Sequence, residues 1–353
     1  MTPKTQKALF VVSEGGSFAV QTTTVPSPGP GEILAKVEAT GLNPVDWKIK
    51  FLYHEWINWI QYPAILGIDG AGVVDAVGEG VSNLKIGDPI LWQGVHGNER
   101  TTFQQYALVT AELAAKIPSN MSVDEAASIP LTLGTAFLGM YNKKKDGPGG
   151  GAGLTPFWKS TTAYAGQPFV VLGGATSTGQ FAIQLARLSG FSPIIVTASE
   201  KHVEHLKSLG ATHVLPRSLS DDGLAAEISK VTPQPLKLVF DTVSIAETQK
   251  TGLSLVVPGG QLILVLPPIE GVVHGRDGKE LVRTTGNVNF TGQGEVGREL
   301  YARLTQLLQD GWIKPLRIQV VPGGLAGIPD GLELLRLDKV GGIRLIAHPQ
   351  ETA

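Results

Sequence analysis

The sequence contains no cysteine. Disulfides, cysteine-ligated zinc, iron–sulfur clusters and a thiol nucleophile are therefore excluded. There is no excess of positive charge either. The 29 Lys and Arg residues face 31 Asp and Glu, for a formal net charge of −2. Such a chain has no basic field to draw in nucleic acid or an anionic membrane. No stretch approaches the roughly 18 apolar residues of a transmembrane helix. The polar, lysine-bearing start from Met1 to Phe10 lacks the apolar run of a signal peptide, and the final Gln350–Ala353 carries no familiar targeting signal. A cytoplasmic location is expected. The 7 histidines form no metal-ligand pattern: His202 and His205 share i, i+3 spacing, as on a wet helix face.

What is present is a chain of 353 residues, 42% hydrophobic and 17% charged. One core rarely serves more than about 250–300 residues, so two domains are expected. Up to residue 130 the chain reads as short strands and turns. Ile33–Ala39 partly alternates after the turn Pro28-Gly29-Pro30-Gly31, and Leu66–Val77 is apolar and glycine-rich. This is the pattern of a compact barrel-like β domain. From Phe169 the rhythm changes. Phe169–Leu172, Pro193–Thr197, His213–Leu215, Leu238–Phe240 and Leu262–Val265 read as strands, with helical stretches such as Gln180–Leu188 and Lys201–Leu209 between them. Alternating β and α units predict an α/β fold with a parallel sheet. Residues 296–309 read as a further helix, and 315–347 as strands and turns that close the first domain. The expected division is 1–130 with 312–353, and 131–311. Lys143–Gly153 is lysine- and glycine-rich, the composition of a solvated loop, or of a lid or docking loop for an acidic partner.

The segment richest in mechanism is Leu172-Gly173-Gly174-Ala175-Thr176-Ser177-Thr178-Gly179, between a strand and a helix. A dinucleotide pyrophosphate needs a tight turn, a close backbone approach and a helix N-terminus with free N–H groups. Gly173 and Gly174 supply the turn. Ala175, Thr176, Ser177 and Thr178 offer backbone N–H groups and hydroxyls, and Gly179 lets the helix pack on the sheet. A hydroxyl residue replaces the usual middle glycine of G-x-G-x-x-G. Cofactor choice is read after the second strand, at Ser199-Glu200-Lys201. Ser199 and Lys201 suit the 2′-phosphate of NADPH. Glu200 points the other way, and Ser199 also reads as a helix cap. Arg217 is placed to cover the adenine or the 2′-phosphate. Leu264 and Val265, ending a later strand, are further candidate contacts.

Asn43-Pro44-Val45-Asp46-Trp47-Lys48, Pro63–Gly72, Leu131–Ala136, the glycine loop and Lys207–Ala211 occur in the order seen in medium-chain dehydrogenases/reductases, which the chain resembles over nearly its whole length. Within that superfamily it is most similar to the fungal trans-acting, ToxD-like enoyl reductases that partner polyketide synthases. The Asp-Trp-Lys triplet, the glycine loop and the Gly/Pro-rich insertion near 147–156 carry this narrower match. The resemblance implies a GroES-like β-barrel catalytic domain beside a Rossmann domain, NADPH as cofactor, and cofactor contacts at Asp46, Trp47, Lys48, Ala175–Thr178, Ser199–Lys201, Arg217, Gly341 and Gly342. It implies an acyl carrier of a polyketide synthase as partner and leaves monomer and homodimer open. Alcohol dehydrogenases of the superfamily hold a catalytic zinc with Cys, His and Glu. The corresponding positions here are Asn43, Ile68 and Asp69, and isoleucine cannot ligate a metal. A zinc-independent enzyme is expected.

The implied reaction sends a hydride to the β-carbon of a conjugated alkene while an enolate develops on the carbonyl. The protein then has to position the cofactor, stabilise the oxyanion and supply a proton. Lys48 is the first candidate, as a ribose contact or an electrostatic partner of the enolate; it also reads as a surface lysine. Tyr53 can donate a proton or pack beside Phe51, Trp56 and Trp59. Thr132 and Thr135 can bind the nicotinamide carboxamide or serve as helix residues. Asp69 is read as structural, pairing with a base, and Asp241 as ordering a strand end. Three functions compete: a carrier-dependent enoyl reductase, a free-standing quinone or enone reductase, and a non-catalytic NADPH-binding protein.

Overall fold

The computed structural model describes residues 2–51 and 60–353. Two compact units emerge, one comprising Met1–Leu131, Gly297–Gly311 and Pro315–Ala353, the other Thr132–Val296 with Trp312–Lys314. In the first, β1 (Thr5–Val11), β2 (Phe18–Thr24), β3 (Glu32–Gly41), helix α1 (Pro44–Phe51), β4 (Ala64–Ile65), β5 (Asp69–Val77), β6 (Pro89–Gln93), β7 (Tyr106–Thr110), β8 (Ala114–Lys116) and the short α2 (Val123–Ala127) follow one another. β1 pairs antiparallel with β2 and β4. β3 pairs antiparallel with β5 and β7, and its register against β5 slips at Leu34/Ala35 and Val37/Ala39. Such bulges bend and twist the sheet, so that it curls around one core. That core includes Ile33, Val37, Ile90 and Trp92. A second cluster gathers Phe10, Leu42, Leu66, Phe103 and Leu345.

The second unit starts with most of α3 (Pro130–Tyr141) and continues through β9 (Phe169–Leu172), α4 (Ser177–Leu188), β10 (Ile194–Ala198), α5 (Val203–Leu209), β11 (His213–Pro216), α6 (Asp221–Val231), β12 (Leu238–Asp241), α7 (Ala246–Leu255), β13 (Gln261–Leu264) and β14 (Glu280–Arg283). The sheet order is β11-β10-β9-β12-β13-β14, and every pairing is parallel. β9, β10, β12 and β13 are buried along their length. This explains their largely apolar runs, because strands covered on both faces have no polar side. The fold is thus the expected GroES-like barrel and Rossmann sheet.

The chain then forms α8 (Gly294–Gln309), β15 (Ile318–Val320), α9 (Ile328–Arg336) and β16 (Arg344–Ala347). α8 falls largely with the β-rich unit, not with the Rossmann stretch that the sequence division gave it. Thr305 Oγ1 on α8 donates to Lys116 O at 2.9 Å. α9 lies where only strands and turns were expected. The glycines around 323–327 read as turn residues, but Pro329 stands at the start of the helix, where its missing N–H is not needed. The second helix of the Rossmann unit also differs from the expected Lys201–Leu209. A 3-10 turn spans Glu200–His202, and the α-helix proper begins at Val203. Among the described residues no helix is long and apolar enough to cross a membrane.

Candidate active site

The glycine loop leaves β9 and runs into α4. Gly173 has φ +84°, and a Cβ on Gly174 would lie 2.8 Å from Val196 Cβ. The first position needs the left-handed region; the second needs the space. Thr176 caps α4: its Oγ1 accepts the Gly179 N–H at 2.9 Å and donates to Thr242 Oγ1 at 2.9 Å. Thr242, just beyond β12, in turn donates to the carbonyls of Leu172 and Gly173. Gly173 N–H donates to Thr197 Oγ1 and Gly174 N–H to Thr197 O. The loop is therefore tied to both neighbouring strands, β10 and β12. Those flank β9, where the strand order reverses; open α/β sheets bind ligands at this point. The Thr176 hydroxyl is committed to the cap. The N–H groups of Ser177 and Thr178, in the first turn, have no acceptor within the helix. A pyrophosphate fits this arrangement of space and donors.

The other Rossmann candidates border the same carboxyl ends of the strands. Ser199 has the extended backbone of an N-cap but makes no side-chain cap bond. Glu200 and Lys201 are exposed, as is Arg217, whose N–H donates to Ala198 O at 3.1 Å. Leu264 sits opposite Asp241, and Val265 N–H donates to Ser244 Oγ at 3.0 Å. Thr132 and Thr135 lie on α3. The Thr132 hydroxyl is buried without a hydrogen-bond partner. Thr135 is packed so closely on Gly286 that a Cβ there would sit 1.8 Å from its Oγ1.

In the β-rich unit, α1 carries Asp46, Trp47 and Lys48. Asp46 is fully buried; its Oδ2 accepts the Asn43 N–H at 2.8 Å. Burial, opposed by that bond and reinforced by the Asp69 charge, pushes its carboxyl up to about 7. The Lys48 ammonium lies 5.7 Å from the Trp47 ring centroid. Burial pulls it below the ordinary lysine range, against the charge of Asp338. Tyr53, with Trp56 and Trp59, lies outside the described residues. Gly341 and Gly342 precede β16; Gly342 has φ +71° and its carbonyl accepts from Arg317 Nη2 at 3.2 Å.

A cavity of about 310 Å³ opens in this unit, lined by Ile60, Gln61, Leu66, His96 and Asn98 among others. Asn98 holds its rim by accepting from Ile65 N–H and donating to Pro63 O, each at 2.9 Å. Burial pushes His96 down to about 4, so its ring is neutral at neutral pH. The lysine-rich insertion is pinned within the Rossmann unit. Lys143 pairs with Glu295 at 3.2 Å and Lys144 with Glu280 at 2.8 Å. Pro148 bridges to Arg283 beside β14, and Trp158 stacks on Phe137 at 5.4 Å.

Two groups escaped sequence reasoning. Thr242 stabilises the glycine loop from 66 residues away. Arg344 is buried against Asn43 and Asp69, from 301 and 275 residues away. Neither neighbourhood has a local signal that announces it.

Residues 29–119 match the alcohol dehydrogenase GroES-like domain, and residues 177–292 match the zinc-binding dehydrogenase family. The chain is 30% identical over 365 residues to trans-enoyl reductase grgB of a Penicillium species, covering 98% of each protein. It is 30% identical over 375 residues to trans-enoyl reductase resD of Aspergillus sclerotiorum, covering 96% of this chain and 99% of that relative. An alcohol dehydrogenase superfamily protein from Novosphingobium aromaticivorans aligns with a TM-score of 0.75 at 26% identity, covering 96% of this chain and 99% of that one. The zinc in the second family's description does not suit the donors present here. Ile68 offers no lone pair, and Asp69 is engaged by Arg344, Asn43 and the Leu131 N–H. Among the described residues no group of three or more His, Cys, Asp or Glu could hold a metal ion.

Proposed function

We propose, from the premise that this chain belongs to the medium-chain dehydrogenase/reductase superfamily, that it is an NADPH-dependent, zinc-independent reductase of a conjugated C=C bond in an α,β-unsaturated acyl thioester borne by a polyketide synthase's acyl carrier. The observation that carries this reading is end-to-end relatedness to trans-enoyl reductases, with a nucleotide-type loop tied at the switch point of the sheet. Bound NADPH would supply the hydride. The N–H groups of Ser177 and Thr178 bind its pyrophosphate, with Gly173, Gly174, Ala175 and Gly179 allowing the close approach. Ser199, Lys201 and Arg217 take the 2′-phosphate. Leu264, Val265, Thr135, Gly341 and Gly342 complete the cofactor contacts.

Lys48 holds a ribose hydroxyl or the developing enolate oxygen, with Asp46 and Trp47 fixing its helix. Burial makes its charge more effective than that of a fully solvated lysine, because screening by water is weaker. Tyr53 and Thr132 are the proposed donors of a proton or hydrogen bond at the reacting carbonyl. The roughly 310 Å³ cavity beside His96 suits an acyl chain.

A second reading is a free-standing quinone or enone reductase. The ion pairs of Lys143 and Lys144 favour it, since they engage charge that an acidic carrier would otherwise meet. Following NADPH oxidation with a carrier-bound enoyl thioester and with a simple enone separates the two. Preference for the carrier-bound substrate is expected; equal turnover of the small enone removes the carrier from the reading.

A further inference from the structure

We infer that Ser244 is a positioning residue that sets the spacing between the two ends of the dinucleotide site. Its hydroxyl ties the turn that packs on the glycine loop to Val265 at the exit of β13. The inference rests on the dinucleotide reading proposed above.

The turn after β12 serves two neighbours. On one side it meets the glycine loop. Thr242 Oγ1 donates to Leu172 O and Gly173 O, at 2.8 and 3.0 Å. Val243 packs so closely on Gly173 that a Cβ there would clash with it. On the other side the turn reaches the segment leaving β13. Ser244 Oγ accepts the Val265 N–H at 3.0 Å and donates to Asp241 O at 2.8 Å. Gln249 closes the same joint. Its Nε2 donates to Ser244 O and Pro267 O, and its Oε1 accepts the Ile269 N–H, each at 2.9 Å. Both side chains are buried.

The backbone at Ser244 does not favour a serine. Its φ is +57°, in the left-handed region, where a Cβ costs energy and glycine does not. Glycine would make the same turn, because it is the Ser244 N–H that donates to Asp241 Oδ1, at 2.8 Å. What glycine lacks is the hydroxyl, whose bond across the sheet goes to Val265. The ladder does not hold that residue: the register of β13 ends at Leu264, opposite Asp241 on one side and Arg283 on the other. A residue kept in a costly conformation points to a use for its side chain.

The sheet order indicates the use. Ser199 and Lys201 follow β10, on one side of β9, and Val265 follows β13, on the other. With the pyrophosphate at β9 and the 2′-phosphate beyond β10, the nicotinamide half falls over β12 and β13. The Ser244–Val265 bond therefore fixes the reacting end relative to the phosphate grip, and small displacements there cost rate steeply.

Ser244→Gly tests this, because it keeps the turn, relieves the backbone and removes the hydroxyl. It should melt within about 3 °C of wild type. In fluorescence titrations it should bind 2′-phospho-ADP-ribose, which lacks the nicotinamide ring, within about twofold of wild type, and NADPH about tenfold more weakly. Its kcat with an enoyl thioester should fall about tenfold. Ser244→Ala keeps the left-handed backbone without the hydroxyl; it should melt lower and show the same split between the two nucleotides. Equal weakening of both nucleotides, or wild-type affinity for NADPH, overturns the inference and leaves the dinucleotide site standing. A wild-type protein that binds neither nucleotide overturns the dinucleotide reading, and the inference with it.

Discussion

Two buried carboxylates, one in each unit, are stabilised in opposite ways. Asp241, at the end of β12, is served by its immediate neighbours. Its Oδ1 accepts the N–H groups of Val243 and Ser244 at 3.0 and 2.8 Å, and its Oδ2 accepts from Thr248 Oγ1 at 2.8 Å. No cation is among these partners, and burial raises the group to about 6. Asp69 instead takes Arg344, Asn43 and the Leu131 N–H from 275, 26 and 62 residues away. One acid draws its hydrogen-bond partners from the next seven residues. The other exists only when the barrel has closed.

The largest expected effect breaks that contrast. Arg344→Met removes the guanidinium that opposes the upward push of burial on Asp69, leaving only its Asn43 and Leu131 donors, and should cost about 3–5 kcal/mol in urea unfolding. Asp241→Asn keeps the backbone donors partnered and should cost only about 1 kcal/mol. Similar losses would show that the long-range pair is no more critical than the local one.

The next effect concerns pH. Asp46 holds its proton up to about 7 in the folded protein and to 3.8 when unfolded, so its contribution falls as pH rises between those values, by about 4 kcal/mol at most. His96 behaves in reverse. Its folded value of about 4 lies below 6.5, so its contribution falls as pH drops through that window. The two slopes oppose one another across most of the acidic range. Asp46→Asn should therefore leave thermal stability rising with pH from 4 to 6.5, relative to wild type, and His96→Gln should leave it falling. Parallel wild-type and variant profiles would refute both assignments.

Smaller effects belong to the Rossmann unit. Lys201→Ala should weaken NADPH by about tenfold, roughly 1.4 kcal/mol, and leave NADH nearly unchanged in fluorescence titrations. Equal losses would show that Lys201 does not meet the 2′-phosphate. Thr176→Ala removes the cap of α4 and should cost about 1 kcal/mol of stability. A loss comparable to that of Arg344→Met would mean that the local network carries more than its bonds suggest.

These differences also mark what could be read from residues alone. The Rossmann unit announced itself because its signals are near neighbours: apolar runs such as Phe169–Leu172, a glycine loop, and helices with a repeating face. The reading of Asp241 as a strand-end organiser needed only the next seven residues. Asp69 was legible as an acid wanting a base, but the base could not be identified. Arg344 lies in a stretch whose glycines read as turns, and only the β3–β16 pairing brings it to Asn43. The 3-10 turn at Glu200–His202 and the helix at Ile328–Arg336 were missed because short-range rules place helix ends poorly near Ser, Gly and Pro.

The pinned insertion has a consequence for the sheet beside it. β14 is the last strand, and an outermost strand presents unpaired N–H and C=O groups that invite a stranger's backbone. Here Pro148 and Gly149 lie against Arg283, with the Gly149 N–H on its carbonyl at 2.9 Å. At the Arg283 end of that border the insertion already occupies the place a foreign backbone would take, so a stretch that looks like spare length serves there as a selvedge.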